Sequence, residues 1–570
     1  MHLLNAARNR FECIPVVHEV TAVIASEYFN ESQNSRKSFV LVTAGPGITN
    51  ALTGIAGAWL ESRFVLVIGG QVKVEDLKKN GVRQIGIQEI DGISIVKSVC
   101  KNAIRIDKII DLETILELIA NGNSNRAGPV FLEICIDIQA ATYSRSLLFD
   151  SSETRNLYSS SSTIDEVSIS KITSMVHSSK RPILLIGGGV SRWERDQIRV
   201  LIDQIGIPTM TTWNGADRID ANSPYYFGRP NTWGQRFANV LIQQCDLLLA
   251  VGTRLGLQQT GFNWGEFIPN GLIVQVDIDQ FELDKESPRK DFRLNCDANL
   301  FVNLLLKQLK QSNFQIDSEW LGFLSEAKDL LPVIDIQNSS HNNFVNPFEL
   351  ISILSQVTEY NDILVPCSSG GAFTVFMQTY SQSRDQIIIS NKGLASMGYG
   401  LAGAIGASLA NQEKNVILIE GDGSFSQNIQ ELATVVRNAL SLKIIIFDNG
   451  GYASIRMTQR NYFGGAFIGC DSNSGLGFPN WEMLCEAYSL QCKKLNVNDN
   501  LRAQLYDFVR ISGPAVLLVP IHPEQTYFPK ISSAIQENGT MKSNPIHLMH
   551  PPIDDSLRLK LFKFLEINNE

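Results

Sequence analysis

Two polar clusters in the last third of the chain each follow an apolar run and combine an oxygen-bearing side chain with glycine. Asp422 lies between Gly421 and Gly423, directly after VILIE, and Asn449 follows KIIIFD and precedes a pair of glycines. Carboxylate and amide oxygens suit Mg²⁺, and glycine lets a backbone approach a phosphate closely. Either cluster alone would be ordinary turn chemistry. Together they predict a site for Mg²⁺ and a diphosphate.

The segment between the clusters explains how they could meet. A helix-like stretch and one apolar run separate Asp422 from Asn449, which is a single strand–helix–strand step. We therefore expect the two side chains to lie next to each other at the carboxyl edge of a parallel sheet. The carbonyl of Gly451 is the third expected ligand. The hydroxyl of Ser424 and a helix expected to begin near Asn428 are the expected phosphate donors.

Short apolar runs alternate with helix-like stretches along the whole chain, which favours parallel sheets covered by helices on both faces. The expected strands are 39–43, 64–68, 130–134, 183–186, 247–251, 273–276, 363–365, 387–390, 416–419, 443–447 and 515–519. They predict an α/β protein with three doubly wound parallel-sheet domains. The expected boundaries are 1–143 for the first domain, 144–164 for a linker, 165–330 for the central domain, 345–535 for the third domain and 536–570 for a tail.

Composition excludes several classes of protein. The 570 residues carry a net charge of −9, which gives no basic surface for nucleic acid. No apolar run reaches the roughly 18 residues that a membrane span needs, and the N-terminus lacks the features of a signal peptide. The nine cysteines include no C-x-x-C pair. These features predict a cytoplasmic protein with reduced thiols and with neither a nucleic-acid nor a membrane partner.

The cluster GDGS with Asn449 resembles the thiamine diphosphate motif. The stretches GLASMGYGLAGAIGASLA and LVTAGPGITNALTGIAGAW support a resemblance to the acetolactate synthase family over about residues 13–535. The loop GVRQIGIQEIDG and the tail KSNPIHLM resemble the members of that family found with lipopolysaccharide sugar genes. The resemblance implies a pyrimidine-binding domain, a central domain and a diphosphate-binding domain, with thiamine diphosphate and Mg²⁺ as cofactors.

The resemblance also implies roles for three further residues. Met397 matches the apolar residue that supports the bent cofactor, although methionine also fills gaps in cores. Glu19 matches the catalytic glutamate that faces the aminopyrimidine, although a glutamate in the first turn of a helix is common. Gln88 matches a glutamine on the substrate side, or it is an ordinary loop residue.

The central segment is similar to a flavin-binding domain. The matching FAD positions are Gly188, Thr212, Arg254, Asp277 and Asp297. The family usually has Arg-Phe-Asp-Asp-Arg where this chain reads Arg254-Leu-Gly-Leu-Gln, so an aspartate and the second arginine are missing. The sequence leaves open whether this domain binds FAD or no nucleotide.

The resemblance implies decarboxylation of a 2-oxo acid, pyruvate above all, and transfer of the two-carbon unit to a carbonyl acceptor. Thr458 stands where branched-chain acetolactate synthases have tryptophan, so the acceptor stays open and includes keto-sugar nucleotides. Because the domain pair that clamps one cofactor comes from two subunits in this family, we expect a homodimer or a dimer of dimers.

The resemblance also carries an expectation about the start of the chain. Family members have a first strand and a Gly-Pro-Gly-Gly-like loop ahead of the catalytic glutamate, whereas only residues 1–18 precede Glu19. We expect either that the natural protein begins further upstream or that the pyrimidine-binding domain lacks an edge element.

Two other functions compete with this one. Gly398, Gly400 and Gly403 satisfy G-x-G-x-x-G with Glu420 downstream, which is typical of an NAD-dependent dehydrogenase. That motif should follow its strand directly, however, and it leaves Asp422 and Asn449 unexplained. A non-catalytic relative that keeps the fold for binding is the other alternative.

Overall fold

Three parallel sheets, one in each third of the chain, organise the computed structural model, which describes residues 2–142, 164–536 and 541–565. The expected linker 144–164 lies outside the described residues except for residue 164. The prediction of three parallel-sheet α/β domains is confirmed. The exact domain boundaries stay a prediction.

The first sheet has the order β1-β2-β4-β3, with all neighbours parallel. Its strands are β1 Phe39–Val42, β2 Leu66–Gln71, β3 Asn102–Ile106 and β4 Val130–Cys135. The helices of this region are α1 His2–Ala7, α2 Glu19–Ser32, α3 Pro46–Leu60, α4 Gly92–Val96, α5 Leu112–Asn123 and α6 Ile136–Ala140.

The second sheet has the order β6-β5-β7-β8-β9, again with parallel neighbours. Its strands are β5 Pro182–Ile186, β6 Thr209–Thr211, β7 Leu247–Val251, β8 Leu272–Asp277 and β9 Phe292–Asn295. The helices are α7 Glu166–Ser178, α8 Arg195–Ile205, α9 Arg236–Ile242, α10 Leu257–Thr260, α11 Gln280–Asp284, α12 Ala298–Gln311 and α13 Ser318–Leu330.

The third sheet has the order β11-β10-β12-β13-β15-β14 and is also parallel. Its strands are β10 Ile363–Pro366, β11 Ile387–Ile388, β12 Val416–Gly421, β13 Leu442–Asp448, β14 Gln491–Lys494 and β15 Ala515–Pro520. The helices are α14 Pro347–Val357, α15 Gly370–Thr379, α16 Tyr399–Ala410, α17 Asp422–Phe425, α18 Leu432–Arg437, α19 Ala453–Tyr462, α20 Trp481–Ala487 and α21 Leu501–Val509.

The C-terminal segment forms two short antiparallel ladders and a last helix. The elements are β16 Lys530–Ile531, β17 Ser533–Ile535, β18 Met541–Ser543, β19 Met549–His550 and α22 Asp555–Leu561. The side chains of Ile546, Leu561 and Phe562 pack into the core beside the second sheet. Within the part of the chain that the structure describes, no helix has the length and apolar character to cross a membrane.

Within the three parallel sheets, four strands are not predicted by the sequence, and all four are sheet edges; the short strands β16–β19 of the C-terminal segment are not predicted either. The four edge strands are β3, β6, β9 and β14. Every inner strand coincides with an expected strand to within three residues, because burial on both faces makes an inner strand almost continuously apolar. An edge strand is shorter or has polar residues, so its pattern is weaker.

Helix α2 of the first domain packs closely against α16 of the third. A Cβ atom added at Gly406 would lie 1.9 Å from the carbonyl oxygen of Ala25, so the two backbones touch. The buried carboxylate of Glu27 adds an ion pair to Arg63, at 2.7 Å, and accepts a hydrogen bond from Tyr399. The two domains are therefore joined by close packing together with a buried polar network.

This contact gives a stability prediction. The variant Gly406→Ala should lower the melting temperature by about 1–3 °C, since overpacking against backbone costs about 1–3 kcal/mol and the entropy of unfolding grows with chain length. Calorimetry measures the shift. The control is Gly322→Ala on the exposed face of α13, where an added Cβ meets nothing within 4 Å and should be neutral or stabilising. Equal shifts in the two variants would refute the close packing.

Candidate functional site

The turn that follows β12 holds a buried carboxylate. Asp422 is 1% exposed. Its carboxylate accepts backbone N–H hydrogen bonds from Gly423 at 2.6 Å, Asn449 at 3.1 Å and Gly451 at 3.0 Å. Because β12 and β13 are neighbours in the sheet, the two glycine-containing clusters meet at its carboxyl edge. Burial, with a smaller contribution from Asp448, raises the pKa of Asp422 to about 7.

The amide oxygen of Asn449 is buried and has no hydrogen-bond partner among the residues that the structure describes. A buried acceptor without a donor is unfavourable unless something else binds it. A carboxylate held only by N–H groups stands beside it. The chemistry of this pair fits a hard divalent cation, which would satisfy both oxygens.

The glycines around the pair divide into open and enclosed positions. A Cβ atom at Gly421 or Gly450 would meet nothing within 4 Å, so the backbone is accessible there. Gly451 has φ +145°, and a Cβ at this position would lie 2.0 Å from the carbonyl oxygen of Cys470. Any larger residue at 451 would therefore displace the loop that carries Asn449. This arrangement leaves room for a phosphate beside the oxygens.

The groups expected to donate to a phosphate make other hydrogen bonds in the structure. The hydroxyl of Ser424 donates to Glu420 at 2.5 Å and accepts from the N–H of Gly398 at 3.0 Å. A serine hydroxyl has only one proton to donate, and here the carboxylate of buried Glu420 accepts it. The hydroxyl of Ser424 therefore has no proton left to donate to a phosphate. The helical segment expected near Asn428 begins with a 3₁₀ turn at residues 429–431 and continues as α18. The side chain of Asn428 donates to the carbonyl oxygen of Gly398 at 2.6 Å.

Met397 lies close to the Asp422 turn. It is half-buried and precedes Gly398, the N-cap residue of α16, which has φ +78°. The hydrogen bond from Gly398 to Ser424 ties this segment to the residues that follow Asp422. The structure therefore brings Met397 into the neighbourhood of the oxygen pair.

Glu19 and Gln88 are placed apart from this group. Glu19 opens α2, and its carboxylate accepts from Asn50 at 3.0 Å. Gln88 is exposed in a loop with φ +61°. In the described ranges no hydrogen bond or ion pair links either side chain to Asp422 or Asn449. The backbone before Glu19 is nevertheless tied to the third domain, since the N–H of His18 donates to Glu431 at 2.9 Å.

A second site lies where the three domains meet. A cavity of about 700 Å³ opens at the carboxyl edge of the second sheet. All five residues that match FAD positions line it: Gly188, Thr212, Arg254, Asp277 and Asp297. Residues of the first and third domains complete the wall. The cavity therefore brings these five residues together, although they lie at or just after the ends of five different strands.

The carboxylates of this cavity differ in their environments. Asp297 caps α12 and accepts from the N–H groups of Asn299 and Leu300, both at 2.9 Å. Burial raises the pKa of Asp277. Where the family usually has its second arginine, Gln258 lines the wall.

Arg456, which no sequence motif marks, holds the Asn449 loop in place. Its buried guanidinium donates to the carbonyl oxygens of Gly450, at 3.1 Å, and Pro523, at 2.8 Å, and pairs with Asp471 at 3.3 Å. A motif search could not find it, because its partners are mostly backbone groups. Arg456 is therefore a positioning residue for the oxygen pair.

Three family models match the chain in order. They are the thiamine pyrophosphate enzyme N-terminal TPP binding domain over residues 1–95, its central domain over 169–305 and its C-terminal TPP binding domain over 369–519.

Similar known proteins include the acetolactate synthase isozyme 2 large subunit of Escherichia coli (strain K12), with 28% identity over 90% of this chain and 89% of the relative. The acetolactate synthase large subunit of Cyanidium caldarium is 27% identical over 91% and 87%. The chloroplastic acetolactate synthase 1 of Nicotiana tabacum is 27% identical over 90% and 77%.

The role of Arg456 can be tested by comparing two arginines of α19. Arg456→Met should lower the free energy of unfolding by about 3 kcal/mol or more, because two carbonyl oxygens and a carboxylate lose a buried donor. Arg460→Met, at an exposed arginine whose one ion pair within the described ranges is with Glu524, should cost less than about 1 kcal/mol. Denaturant unfolding measures both. A loss at Arg456 no larger than that at Arg460 would contradict the positioning role.

Proposed function

Because the chain belongs to the thiamine pyrophosphate enzyme family, we propose that it decarboxylates a 2-oxo acid, with pyruvate as the first candidate, and transfers the two-carbon unit to a carbonyl acceptor. The three matching domains and the acetolactate synthase relatives support this reaction class. The structural observation that carries it is the buried carboxylate of Asp422 next to the unbonded amide oxygen of Asn449.

We assign Mg²⁺ to that oxygen pair and to the carbonyl of Gly451. The accessible backbone at Gly421 and Gly450 supports a diphosphate beside the metal, because no side chain fills the space there. When bound, thiamine diphosphate supplies a nucleophilic carbon and an electron sink for decarboxylation. The role of Asp422 and Asn449 is to hold the metal and thereby orient the diphosphate, with Met397 supporting the rest of the cofactor.

Glu19 is the proposed catalytic carboxylate toward the aminopyrimidine ring, and Gln88 is proposed to face the substrate. A carboxylate that hydrogen-bonds the ring nitrogen in a dry site stabilises the tautomer that can remove a proton. The bond from Asn50 fixes the orientation of Glu19. This role requires Glu19 to meet the third domain of another subunit.

The cavity at the second sheet supports binding of FAD in this chain. Its five strand ends are spaced by about 4.8 Å each, which gives a length near 19 Å and suits a dinucleotide. Arg254 provides a guanidinium that has no hydrogen bond or ion pair within the described part of the chain. The side chains of Asp277 and Asp297 provide acceptors at the β8 and β9 end.

The dehydrogenase alternative loses its support, because its glycines serve helix packing. Within α16, a Cβ at Gly400 would lie 2.6 Å from Glu420, and one at Gly403 would lie 2.7 Å from the ring of Tyr28. Glu420 is fully buried and bonded to Ser424, so it is not available to a ribose.

The acceptor proposal rests on the small residue at position 458. Thr458 is exposed on α19, and its hydroxyl donates to the carbonyl of Ser454 at 3.0 Å. A small side chain leaves more room than tryptophan, which supports an acceptor as large as a keto-sugar nucleotide.

The nine cysteines, all free, support the proposed cytoplasmic location.

The proposed assembly is a homodimer or a dimer of dimers. Large apolar side chains are exposed on both domains that must meet: Ile87 is 91% exposed in the Gln88 loop, and Phe463 and Ile468 are 65% and 76% exposed after α19. Burial of such groups in an extensive interface would stabilise the pair of subunits. A two-fold axis would produce two equivalent sites.

The metal assignment predicts a loss of cofactor binding in Asp422→Ala. Removal of the only charged protein ligand should weaken Mg²⁺-dependent binding of thiamine diphosphate by about tenfold or more. Titration calorimetry measures the affinity. The control is Asp362→Ala, which removes a buried aspartate just before β10, at the opposite edge of the same sheet. Unchanged affinity in the Asp422 variant would contradict the assignment.

The assignment of Glu19 separates binding from chemistry. Glu19→Gln should keep cofactor affinity, while exchange of the C2 proton of the bound cofactor with D₂O slows by about 10²-fold, since one acid–base contribution is lost. NMR after acid quench measures the exchange. Glu12→Gln, at an exposed glutamate in the same region, should behave as wild type. Wild-type exchange in the Glu19→Gln variant would show that Glu19 has no catalytic role and only occupies the first turn of α2.

Shared sites can be detected by mixing inactive subunits. Each hybrid of a Glu19→Gln and an Asp422→Ala subunit contains one intact site and one doubly damaged site. Random pairing of equal amounts should return about one quarter of wild-type activity. Subunit exchange is followed by native mass spectrometry. Mixtures that exchange subunits yet remain inactive would rule out shared sites.

A further inference from the structure

Lys392 lines the large cavity and has an unusual environment. It lies between β11 and Met397, and its ammonium rests 3.7 Å from the centre of the Trp213 ring and 5.3 Å from that of Phe373. The two rings stand nearly perpendicular, at 86°. Among the residues that the structure describes, no hydrogen bond or ion pair satisfies this ammonium. An aromatic face offsets only part of the cost of removing a charge from water.

The nearest carboxylate is already occupied. Glu61, just after α3, accepts backbone N–H hydrogen bonds from Lys392, at 2.6 Å, and from Gly393, and a side-chain bond from Asn214. Its oxygens therefore hold the segment that carries the lysine and leave the ammonium unpaired. Burial lowers the pKa of Lys392 to about 7, and the charge of Glu61 opposes this shift.

The other charged groups that line the cavity are mostly neutralised. Arg126 pairs with Asp279 and Glu282, and Lys285 pairs with Glu282 at 3.0 Å. The carboxylate of Asp297 caps a helix. Only two cations of the described wall lack an anionic partner, namely Lys392 and Arg254.

The two unpaired cations stand apart along the sheet. Trp213, under Lys392, follows β6, whereas Arg254 follows β7, and β5 lies between these strands. Two strand spacings correspond to roughly 10 Å. A single diphosphate at Arg254 would therefore leave Lys392 without a partner.

We propose that Lys392 anchors an anionic group, a carboxylate or a phosphate, that is separate from the anion held at Arg254. The anion at Lys392 lies at the end of the cavity nearest Met397. This inference goes beyond the proposed function and does not require thiamine chemistry, because it rests only on the cavity and its charges.

The charge of Lys392 makes the binding pH-dependent. The groups that face the ammonium are Glu61, already bonded, and the uncharged rings of Trp213 and Phe373. Asp217 and Arg218, on the turn after Trp213, pair with each other. Since a smaller fraction of the lysine is charged as the pH rises through about 7, affinity for an anion of constant charge such as pyruvate should fall between pH 6 and 8.5.

The test measures the reactivity of Lys392 in the full-length wild-type protein. Competitive labelling with acetic anhydride, read by mass spectrometry, reports the protonated fraction of this amine at each pH. Pyruvate, inorganic phosphate and UDP are the anionic probes, and FAD is tested in parallel. We expect at least one anionic probe to slow labelling of Lys392 by about tenfold at pH 7.5, because a bound anion holds the proton.

The arms of the experiment identify the source of the anion. Protection by pyruvate alone indicates a 2-oxo acid carboxylate, and protection by phosphate or UDP indicates a phosphate. Protection by FAD while all three anions fail would mean contact with the flavin ring and would overturn the proposal. The proposal would also be overturned if Lys392 were labelled like an exposed lysine and no probe slowed its labelling.

Variants supply the second measurement. Lys392→Met should weaken binding of the protecting probe by about tenfold or more and abolish its pH dependence, whereas Lys392→Arg should keep the affinity at pH 8.5. The control is Lys171→Met, because the ammonium of Lys171 rests 4.6 Å from the Phe292 ring but does not line this cavity. If the two methionine variants bind the probe equally well, the anchor role is wrong.

Discussion

The buried carboxylate of Asp422 is the constraint on which the third domain depends. A negative charge without solvent is costly, and among the described residues only backbone N–H groups at the ends of β12 and β13 donate hydrogen bonds to it. Those donors exist only if the two strands are adjacent and Gly451 keeps its positive φ. A divalent cation would remove the remaining cost and also satisfy the amide oxygen of Asn449. The cost of burying the Asp422 carboxylate is thus the strongest argument that this turn binds a metal.

The surrounding structure keeps that turn rigid and places it at a domain boundary. Arg456 fixes the loop after β13 through carbonyl oxygens, while Glu431 holds the backbone that leads to Glu19. Close packing of α2 against α16 connects the first and third domains within one chain. The cavity at the second sheet reaches the segment before Met397. Residues 391–397 therefore connect the two proposed binding sites along the chain.

How much the sequence could predict depended on burial and on the chemistry of side chains. Inner strands such as β7 and β12 were found because both faces are buried, whereas β14, with the sequence QCKK, carries lysines at a sheet edge. Asp422 and Asn449 are predictable as a pair, because a single strand–helix–strand step separates them, whereas either cluster alone is ordinary turn chemistry. Arg456 and Lys392 were missed, because their importance lies in backbone carbonyls and aromatic rings that come together only in the folded chain. The sequence also assigns the hydroxyl of Ser424 to a phosphate, because residue spacing does not show that this hydroxyl donates its hydrogen bond to buried Glu420.

The central claim is that the oxygens of Asp422 and Asn449 bind a metal that also holds the cofactor diphosphate. Pulsed electron paramagnetic resonance of the wild-type protein with Mn²⁺ in place of Mg²⁺ tests this directly. With thiamine diphosphate present, the account predicts ³¹P couplings from diphosphate oxygens bound to a protein-held Mn²⁺. Mn²⁺ that remains in solution, or that binds the protein without any ³¹P coupling, would contradict it.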